Sequence, residues 1–362
     1  MAGGYDYGNA RLRAMGSRLF GEADYHSLLA KANIEELITA LAATPYQEDI
    51  AAALSRFQGV HCVLEAVRTN LTGTLRQLRD FFEGEPRRLI DLVLRRWDRH
   101  NLLTILRGQS QEIPAETVIS ALIPLGEVDE VSLRELARQP SLRAVIDLMT
   151  TWHLPYATAL RQVQLRTGAF PDLDQLELAL NRAHYASLIK LLRSDNLDQA
   201  ILLEYLRTEI DQANLVTSLR LARRPDLVPV VQQRYNAADA RPLLIEPGGH
   251  LAVGRLVELA TQTEGLEGLV RGLSDTRYGS PLEAGWRRYQ AGEGSMSVFE
   301  RELERWQAQH FKAMFARNPL SLAIPLGFIG CKTFEVANLR LIAQAVDLNL
   351  KRDQVWPELI IV

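Results

Sequence analysis

Three short segments of this sequence place a carboxylate and an amide at a spacing that could carry chemistry. Each consists of an acid, two variable residues, an asparagine and a leucine, and we call them the acid–amide phrases: Asp98 to Leu102, Asp211 to Leu215 and Glu335 to Leu339. Residues three apart lie on one face of a helix, so the acid and the amide would project side by side, with the leucine about 100° further round, towards a core. Such a pair could transfer protons, contact a partner or satisfy buried backbone groups.

Recurrence of the phrase argues against catalysis, because a catalytic carboxylate would rarely be needed in triplicate. We therefore predict that the acid and the amide either contact a partner or tie their helix to neighbouring backbone or to a nearby arginine, which satisfies buried polar groups. In two copies an arginine stands six residues past the asparagine, whereas the third copy has Gln344 there. The candidate residues are Asp98, Asn101 and Arg107 in the first copy, Asp211, Asn214 and Arg220 in the second, and Glu335 and Asn338 in the third.

A second marker recurs in step with the phrases. Tyr46, Tyr156 and Tyr278 each stand in a turn-like context, 55 to 60 residues before the next phrase asparagine. Coincidence in a leucine-rich chain is the alternative explanation. We predict three diverged copies of one helical unit, covering residues 1–110, 111–224 and 225–362, each too long for a solenoid repeat and closer to a small domain.

Helical signals dominate the sequence between these markers. Asn33 with Glu36 indicates a capping box, and so does Ser132 with Glu135. Asn196 or the aspartate two residues later is predicted to open the helix that carries the second phrase. Sustained alternation of apolar and polar residues, which would predict strands, does not occur. We predict an all-α protein.

Composition and motifs exclude several classes of protein. A hydrophobic content of 47% and a charged content of 23% are typical of a folded domain, and a net charge of −3 argues against a general nucleic-acid-binding surface. The sequence contains no P-loop, no Gly-x-Ser-x-Gly elbow, no His-Glu-x-x-His and no Gly-x-Gly-x-x-Gly after a strand. We therefore predict that the chain is not an enzyme and that it holds no metal and no cofactor.

The cysteines and the apolar segments bear on location. Cys62 and Cys331 have no metal or redox spacing, which favours a reduced, cytosolic compartment. No signal peptide is expected, because charged residues interrupt the start of the sequence. The most apolar stretch, residues 320–331, is too short to span a bilayer.

An all-α enzyme or a small-molecule carrier with a central cavity is the alternative function. A helical prenyl-transfer enzyme would need clustered aspartates to hold a metal and a diphosphate, and the sequence has no Asp-Asp pair. A small molecule bound in a central cavity would favour this alternative, whereas copurification with a rotary ATPase would favour an adaptor.

The phrases and the beginning of the chain resemble one family. The opening has a tyrosine, an Asn-Ala-Arg triplet and a second arginine two residues further on, namely Tyr7, Asn9, Arg11 and Arg13. With the turns at residues 123–126 and 246–249, this pattern is similar to the C subunit of the prokaryotic V-type (A/V-type) ATPases, whose relative in the eukaryotic vacuolar enzyme is the d subunit. The third copy departs from the family pattern, with a glutamate for aspartate and a glutamine for arginine.

The resemblance implies a fold and a function. Members of this family are funnels of three helical domains around a pseudo-threefold axis, seated on the cytoplasmic end of the membrane proteolipid ring. They hold the foot of the shaft made of the D and F subunits. We therefore expect a non-catalytic central-stalk subunit, peripheral at the cytoplasmic face of the membrane, that transmits torque for coupled transport of protons or sodium. Its expected partners are the D and F subunits and the proteolipid ring, with no nucleic acid and no membrane span of its own.

Overall fold

Helices make up most of the chain in a computed structural model that describes residues 4–166, 172–246, 248–262 and 264–362. No β-strand occurs in those ranges, which confirms the all-α prediction. The first ten helices are α1 (Tyr5–Gly16), α2 (Glu22–Leu29), α3 (Ile34–Leu41), α4 (Gln47–Leu54), α5 (Gly59–Asp80), α6 (Gly84–Leu94), α7 (Arg96–Ser110), α8 (Ala115–Ser120), α9 (Glu130–Ala137) and α10 (Leu142–Thr151). The others are α11 (Ala157–Arg166), α12 (Leu173–Lys190), α13 (Leu197–Arg223), α14 (Val228–Tyr235), α15 (Val253–Thr261), α16 (Gly265–Gly272), α17 (Gly279–Arg288), α18 (Ser297–Ala316), α19 (Ala323–Asp347) and α20 (Arg352–Val355).

The chain divides into two compact units. Unit 1 comprises Met1–Trp97, Ile123–Glu127 and Gln307–Val362, and unit 2 comprises Asp98–Leu122 and Val128–Trp306. Unit 1 therefore joins segments from both ends of the sequence. None of the helices in the described part of the chain combines the length and the hydropathy of a membrane span.

Unit 1 is built around α19, which carries the third phrase. This helix is buried on nearly all sides because its first half is almost continuously apolar, and it packs against α1, α2, α3 and α5. The buried amide of Asn9 on α1 donates to the carbonyls of Pro319 and Ser321, at 2.7 and 3.0 Å, just before α19 begins. The beginning of the chain is thus fastened to the segment that leads into its last long helix.

Unit 2 contains two hydrophobic clusters, each led by a phrase helix. Leu102 and its neighbours on α7 pack with side chains from the following helices up to α12. Leu215 and its neighbours on α13 pack in the same way with side chains up to α18. Both phrase leucines are fully buried, and Leu339 is 1% exposed in unit 1, so the predicted core position of the leucine is confirmed in all three copies.

Helix starts follow the capping signals in two of the three predicted places. Asn33 accepts from the Glu36 N–H at 2.9 Å, and the Glu36 carboxylate accepts from the Ala32 N–H at 3.0 Å. Asn196 caps α13 by accepting from the Gln199 N–H at 3.1 Å. These local pairs form because cap and partner are only three residues apart.

The predicted cap at Ser132 is wrong. Asp129 is the cap of α9, and its carboxylate accepts from the Ser132 N–H and hydroxyl, both at 2.9 Å. Two good cap residues compete here. The earlier one prevails, which places Ser132 and Glu135 inside the helix.

Several helices end in a residue with left-handed backbone that is not glycine. Glu112 has φ 54° and His153 has φ 53°, whereas Asn236 and Asn349 have φ 46° and 52°. Each is followed by an N–H that reaches back five residues, as the Leu154 N–H does to the Met149 carbonyl at 3.0 Å. Asparagine tolerates this conformation well, but glutamate and histidine adopt it at a steric cost.

Candidate functional site

The phrase asparagines of the second and third copies hold the backbone of a distant residue. The Asn214 amide donates to the Ile245 carbonyl at 3.1 Å and accepts from the Ile245 N–H at 2.8 Å. Asn338 makes the same pair of bonds with Ile360, at 2.8 and 2.9 Å. All four residues are buried, so each amide satisfies both the N–H and the C=O of one residue that lies outside the helices.

The acid of the second phrase accepts from three donors. One oxygen of Asp211 accepts from the Leu251 N–H at 3.0 Å, and the other accepts from the His250 N–H at 2.9 Å and from the Tyr278 hydroxyl at 3.0 Å. Gly249 directly precedes the two backbone donors, His250 and Leu251. A Cβ at Gly249 would lie 2.3 Å from Asp211 and 2.2 Å from the Arg207 carbonyl. The loop approaches α13 this closely only because the residue is glycine.

The acid of the third phrase has a similar set of donors and an additional cation. Glu335 accepts from the Phe20 N–H at 2.7 Å, from the Tyr46 hydroxyl at 2.6 Å and from the Lys332 ammonium at 2.6 Å. Lys332 also donates to the Tyr46 oxygen at 2.9 Å. Lys332 and Glu335 are 5% and 3% exposed, so this is a buried ion pair with additional hydrogen bonds from Tyr46 and Phe20.

The first phrase is buried as completely as the others. Asp98 and Asn101 are both 0% exposed, and one Asp98 oxygen accepts from the Val128 N–H at 3.0 Å. In all three copies, therefore, the phrase acid holds a backbone N–H of a segment that lies outside its own helix.

Two of the tyrosine markers contact a phrase other than the one with which their spacing pairs them. Tyr278 contacts the second phrase, and Tyr46, near the start of the chain, contacts the third. The spacing had grouped Tyr46 with Asn101 and Tyr278 with Asn338. Tyr156 has left-handed backbone, φ 68°, and its hydroxyl lies 3.0 Å from Nδ1 of His184.

Burial governs the acidity of these groups. It raises the pKa of Asp211 above its usual range, although the Leu251 and His250 N–H bonds and the Tyr278 bond oppose the shift. Burial, reinforced by the neighbouring carboxylates, raises the pKa of Tyr46 and of Tyr278 well above 10. Both phenols therefore remain hydrogen-bond donors throughout the physiological range.

The downstream arginines lie apart from the phrase acids. Arg107 pairs with Glu177 through two bonds of 2.6 and 2.8 Å, and Arg220 pairs with Glu300 at 2.6 Å. Both arginines are more than half exposed, so these pairs contribute little to stability. The phrases are thus satisfied by backbone groups, by the Tyr278 and Tyr46 hydroxyls and by Lys332, and not by the downstream arginines.

The remaining residues of the predicted N-terminal motif lie on the surface of unit 1. Tyr7 is 63% exposed, and its ring meets Phe81 edge to face at 6.0 Å. The Arg11 guanidinium lies 5.5 Å from the centre of the Phe81 ring. Arg13 donates to the Arg317 carbonyl at 3.4 Å, a long and exposed bond.

Sequence reasoning missed Lys332. It is one of five lysines in the chain, and it directly follows the apolar stretch at residues 320–331. A lysine at that position, three residues before Glu335, is a signal for a buried ion pair on one helix face. The backbone donors from Phe20 and Ile360 gave no signal, because any residue supplies an N–H.

Other reactive groups are few in the described part of the chain. No cluster of histidine, cysteine, aspartate and glutamate suited to a metal occurs there. Cys62 and Cys331 are buried free thiols, and burial raises the pKa of Cys331 to about 12. Of the predicted turn at residues 246–249, Pro247 lies outside the described residues.

The geometry defines an all-helical protein whose recurrent acid–amide phrases join its own helices to distant loops. Comparison with known proteins gives its family. Residues 8–356 match the model of the ATP synthase (C/AC39) subunit family, and the chain belongs to that family. Membership makes it a structural subunit of an A/V-type ATP synthase and not a catalytic one, as the sequence predicted.

Curated relatives match over nearly the whole chain. A protein from Haloferax volcanii, named as the C subunit of an A-type ATP synthase, is 30% identical over 361 residues, which cover 98% of this chain and 97% of that protein. Proteins of the same name from Halorubrum lacusprofundi and Methanocaldococcus jannaschii are 28% and 25% identical, covering 98% and 97% of this chain and 97% and 85% of theirs.

Proposed function

We propose that this chain is a central-stalk subunit of a rotary A/V-type ATP synthase. In this proposal it links the shaft of D and F subunits to the membrane proteolipid ring at the cytoplasmic face, and it transmits torque for coupled transport of protons or sodium. The observation that carries the proposal is the family match over residues 8–356, which leaves little of the chain for any other function.

The buried phrases support a role in transmitting force. Asp211 and Glu335 each fasten a long helix to backbone N–H groups far away in the sequence. A subunit that transmits torque must not yield between its two attachment points, and buried, satisfied polar networks make a fold stiff and specific. We propose that the phrases serve this internal purpose, and that partner contacts use other surfaces.

A funnel of three helical domains around a pseudo-threefold axis, with boundaries near residues 110 and 224, is part of the proposal. The common scheme of the three phrases supports it, because in each the acid accepts a hydrogen bond from a backbone N–H of a segment outside its own helix. Superposition of the phrase helices in an assembled complex, by rotations near 120°, is the corresponding test.

Removal and return of the subunit test the function. In a complex that lacks this chain, the catalytic head should still hydrolyse ATP, while ion transport into vesicles should stop because the shaft no longer turns the ring. Adding the purified chain back should restore transport and make hydrolysis sensitive again to blocking of the ring. An unrelated helical protein serves as the add-back control. Coupled transport by a complex shown to lack the subunit would rule the proposal out.

A further inference from the structure

Helix α19 carries an arginine where the other two phrase helices carry an apolar residue. Arg340 stands two residues after the phrase asparagine, and Leu103 and Val216 stand at the matching positions. Leu103 is 9% exposed, and Val216 packs against the second hydrophobic cluster of unit 2. Arg340 itself is half-buried. The position therefore faces towards packed surroundings in all three copies, and only one of them places a charge there.

The part of the chain that the structure describes gives this arginine no partner of its own. Among the residues that the structure describes, no carboxylate pairs with Arg340 and no oxygen accepts a hydrogen bond from it. Two other half-buried arginines of unit 1 do have acids, since Arg68 pairs with Glu65 at 2.7 Å and Arg95 pairs with Glu127. A guanidinium that is partly removed from water without a counter-charge is costly, so such groups are normally paired.

The surroundings of Arg340 add to its positive charge. Burial lowers the pKa of Arg340, and the positive charge of Arg68 on α5 lowers it further. Glu65 is already engaged by Arg68 and is also attracted by the exposed Arg56. The charge around Arg340 and Arg68 is therefore positive, and Glu65 is engaged by other arginines.

We propose that Arg340 binds an acidic side chain of a neighbouring subunit in the assembled ATP synthase. The guanidinium fork matches a carboxylate through two parallel hydrogen bonds, and a single carboxylate would supply the missing counter-charge. A lipid headgroup fits less well, because membrane-binding surfaces gather several exposed basic residues, whereas Arg340 and Arg68 are half-buried and Arg68 is already paired with Glu65. The proposal rests on family membership and holds whichever subunit supplies the acid.

Replacing Arg340 by leucine, an apolar residue like those at the matching positions of the other two phrases, tests the proposal. The Arg340→Leu chain and the wild type are titrated onto a complex stripped of this subunit, and the melting temperature of each isolated chain is measured. We expect Arg340→Leu to bind about 10- to 100-fold more weakly, as for loss of one partner of an interfacial charge pair. It should melt at the same temperature or higher, because an unpaired charge is removed from a packed position. Arg340→Lys, which keeps the charge and loses the fork, should bind with intermediate affinity.

A matched variant controls for net charge. Arg88 on α6 is an exposed arginine of unit 1 paired with Glu85, so Arg88→Leu removes the same charge from the surface and should bind normally. Binding of Arg340→Leu within twofold of the wild type would overturn the proposal. A clear fall in its melting temperature would overturn it too, because that would show an internal role. Normal assembly combined with lost binding to vesicles of anionic phospholipid would assign the site to a lipid instead.

Discussion

The side-chain amide of Asn214 joins helix α13 to the backbone of Ile245. Replacing it by leucine leaves the buried N–H and C=O of Ile245 without partners, which should destabilise the chain by about 1–3 kcal/mol. Urea unfolding followed by circular dichroism measures the loss. Gln77→Leu provides the control, since Gln77 is an exposed amide on α5 and its replacement should change stability by less than about 0.5 kcal/mol.

The same Asn214→Leu variant separates the two roles predicted for the phrase. Unchanged stability with weakened assembly would show that Asn214 contacts a partner, whereas lost stability shows that it serves the fold. A variant that changes neither would contradict both interpretations.

The ion pair of Lys332 with Glu335 should be far more sensitive than the surface pairs. Lys332→Met leaves a carboxylate buried with only the Phe20 and Tyr46 donors, and breaking a buried pair in this way costs about 3–5 kcal/mol. The measurement is again equilibrium unfolding. Lys312→Met, at an exposed lysine of α18, should be nearly neutral. A small effect of Lys332→Met would mean that the two remaining donors suffice for Glu335.

At this scale the sequence predicts types of residue better than their partners. The acid and the amide of each phrase are identifiable because their spacing matches a helix face, and burial of the phrase leucine follows from the same geometry. The partners Ile245 and Ile360 are not identifiable, because they contribute backbone groups that carry no mark of residue type. Tyr46 was visible as a marker, but spacing along the chain could not show that it meets a phrase 289 residues further on.

Among the helices, α13 and α19 each carry an acid–amide phrase and also form a large part of the buried core. They are the two longest helices of the part of the chain that the structure describes, and each is buried over much of its circumference. The all-α architecture and most helix positions could be predicted from periodicity and caps. The start of α9 could not, because Asp129 and Ser132 are both good cap residues and the sequence pattern does not distinguish them.

Helix ends offer a way to stabilise the chain without touching the phrases. His153 follows the end of α10 with left-handed backbone, which L-residues other than asparagine adopt at a cost. His153→Gly should therefore raise the stability by about 0.5–1 kcal/mol, seen as a higher melting temperature. Asn349→Gly, at an equivalent helix end, should gain less, because asparagine already tolerates the conformation. Equal gains at both positions would contradict this explanation.

At the scale of the whole molecule, hydrogen bonds from α19 hold both ends of the sequence within unit 1. Asn338 binds the backbone of Ile360, and Glu335 binds Phe20 and Tyr46. Deleting residues 359–362 should therefore speed hydrogen exchange in α19 and α5, while α13 of unit 2 stays protected. Mass spectrometry of exchanged peptides gives both readings in one experiment.

Ile360→Ala provides the control for that deletion. It shortens the side chain but keeps the N–H and C=O that Asn338 holds, so exchange in α19 should rise much less than after the deletion. Equal exchange in the two variants would show that apolar packing of the tail matters and that the Asn338 junction does not.

The contacts that close unit 1 can form only late in synthesis of the chain. The Tyr46 hydroxyl and the Glu335 carboxylate that it meets are 289 residues apart in the chain. At about 5–20 residues per second, a ribosome produces the second group roughly 15–60 s after the first. Until then α1, α2, α3 and α5 have no α19 to pack around, and Tyr46 and Phe20 lack the carboxylate that they bind in the folded chain. A chain that terminates before α19 lacks Glu335 and therefore cannot form these contacts.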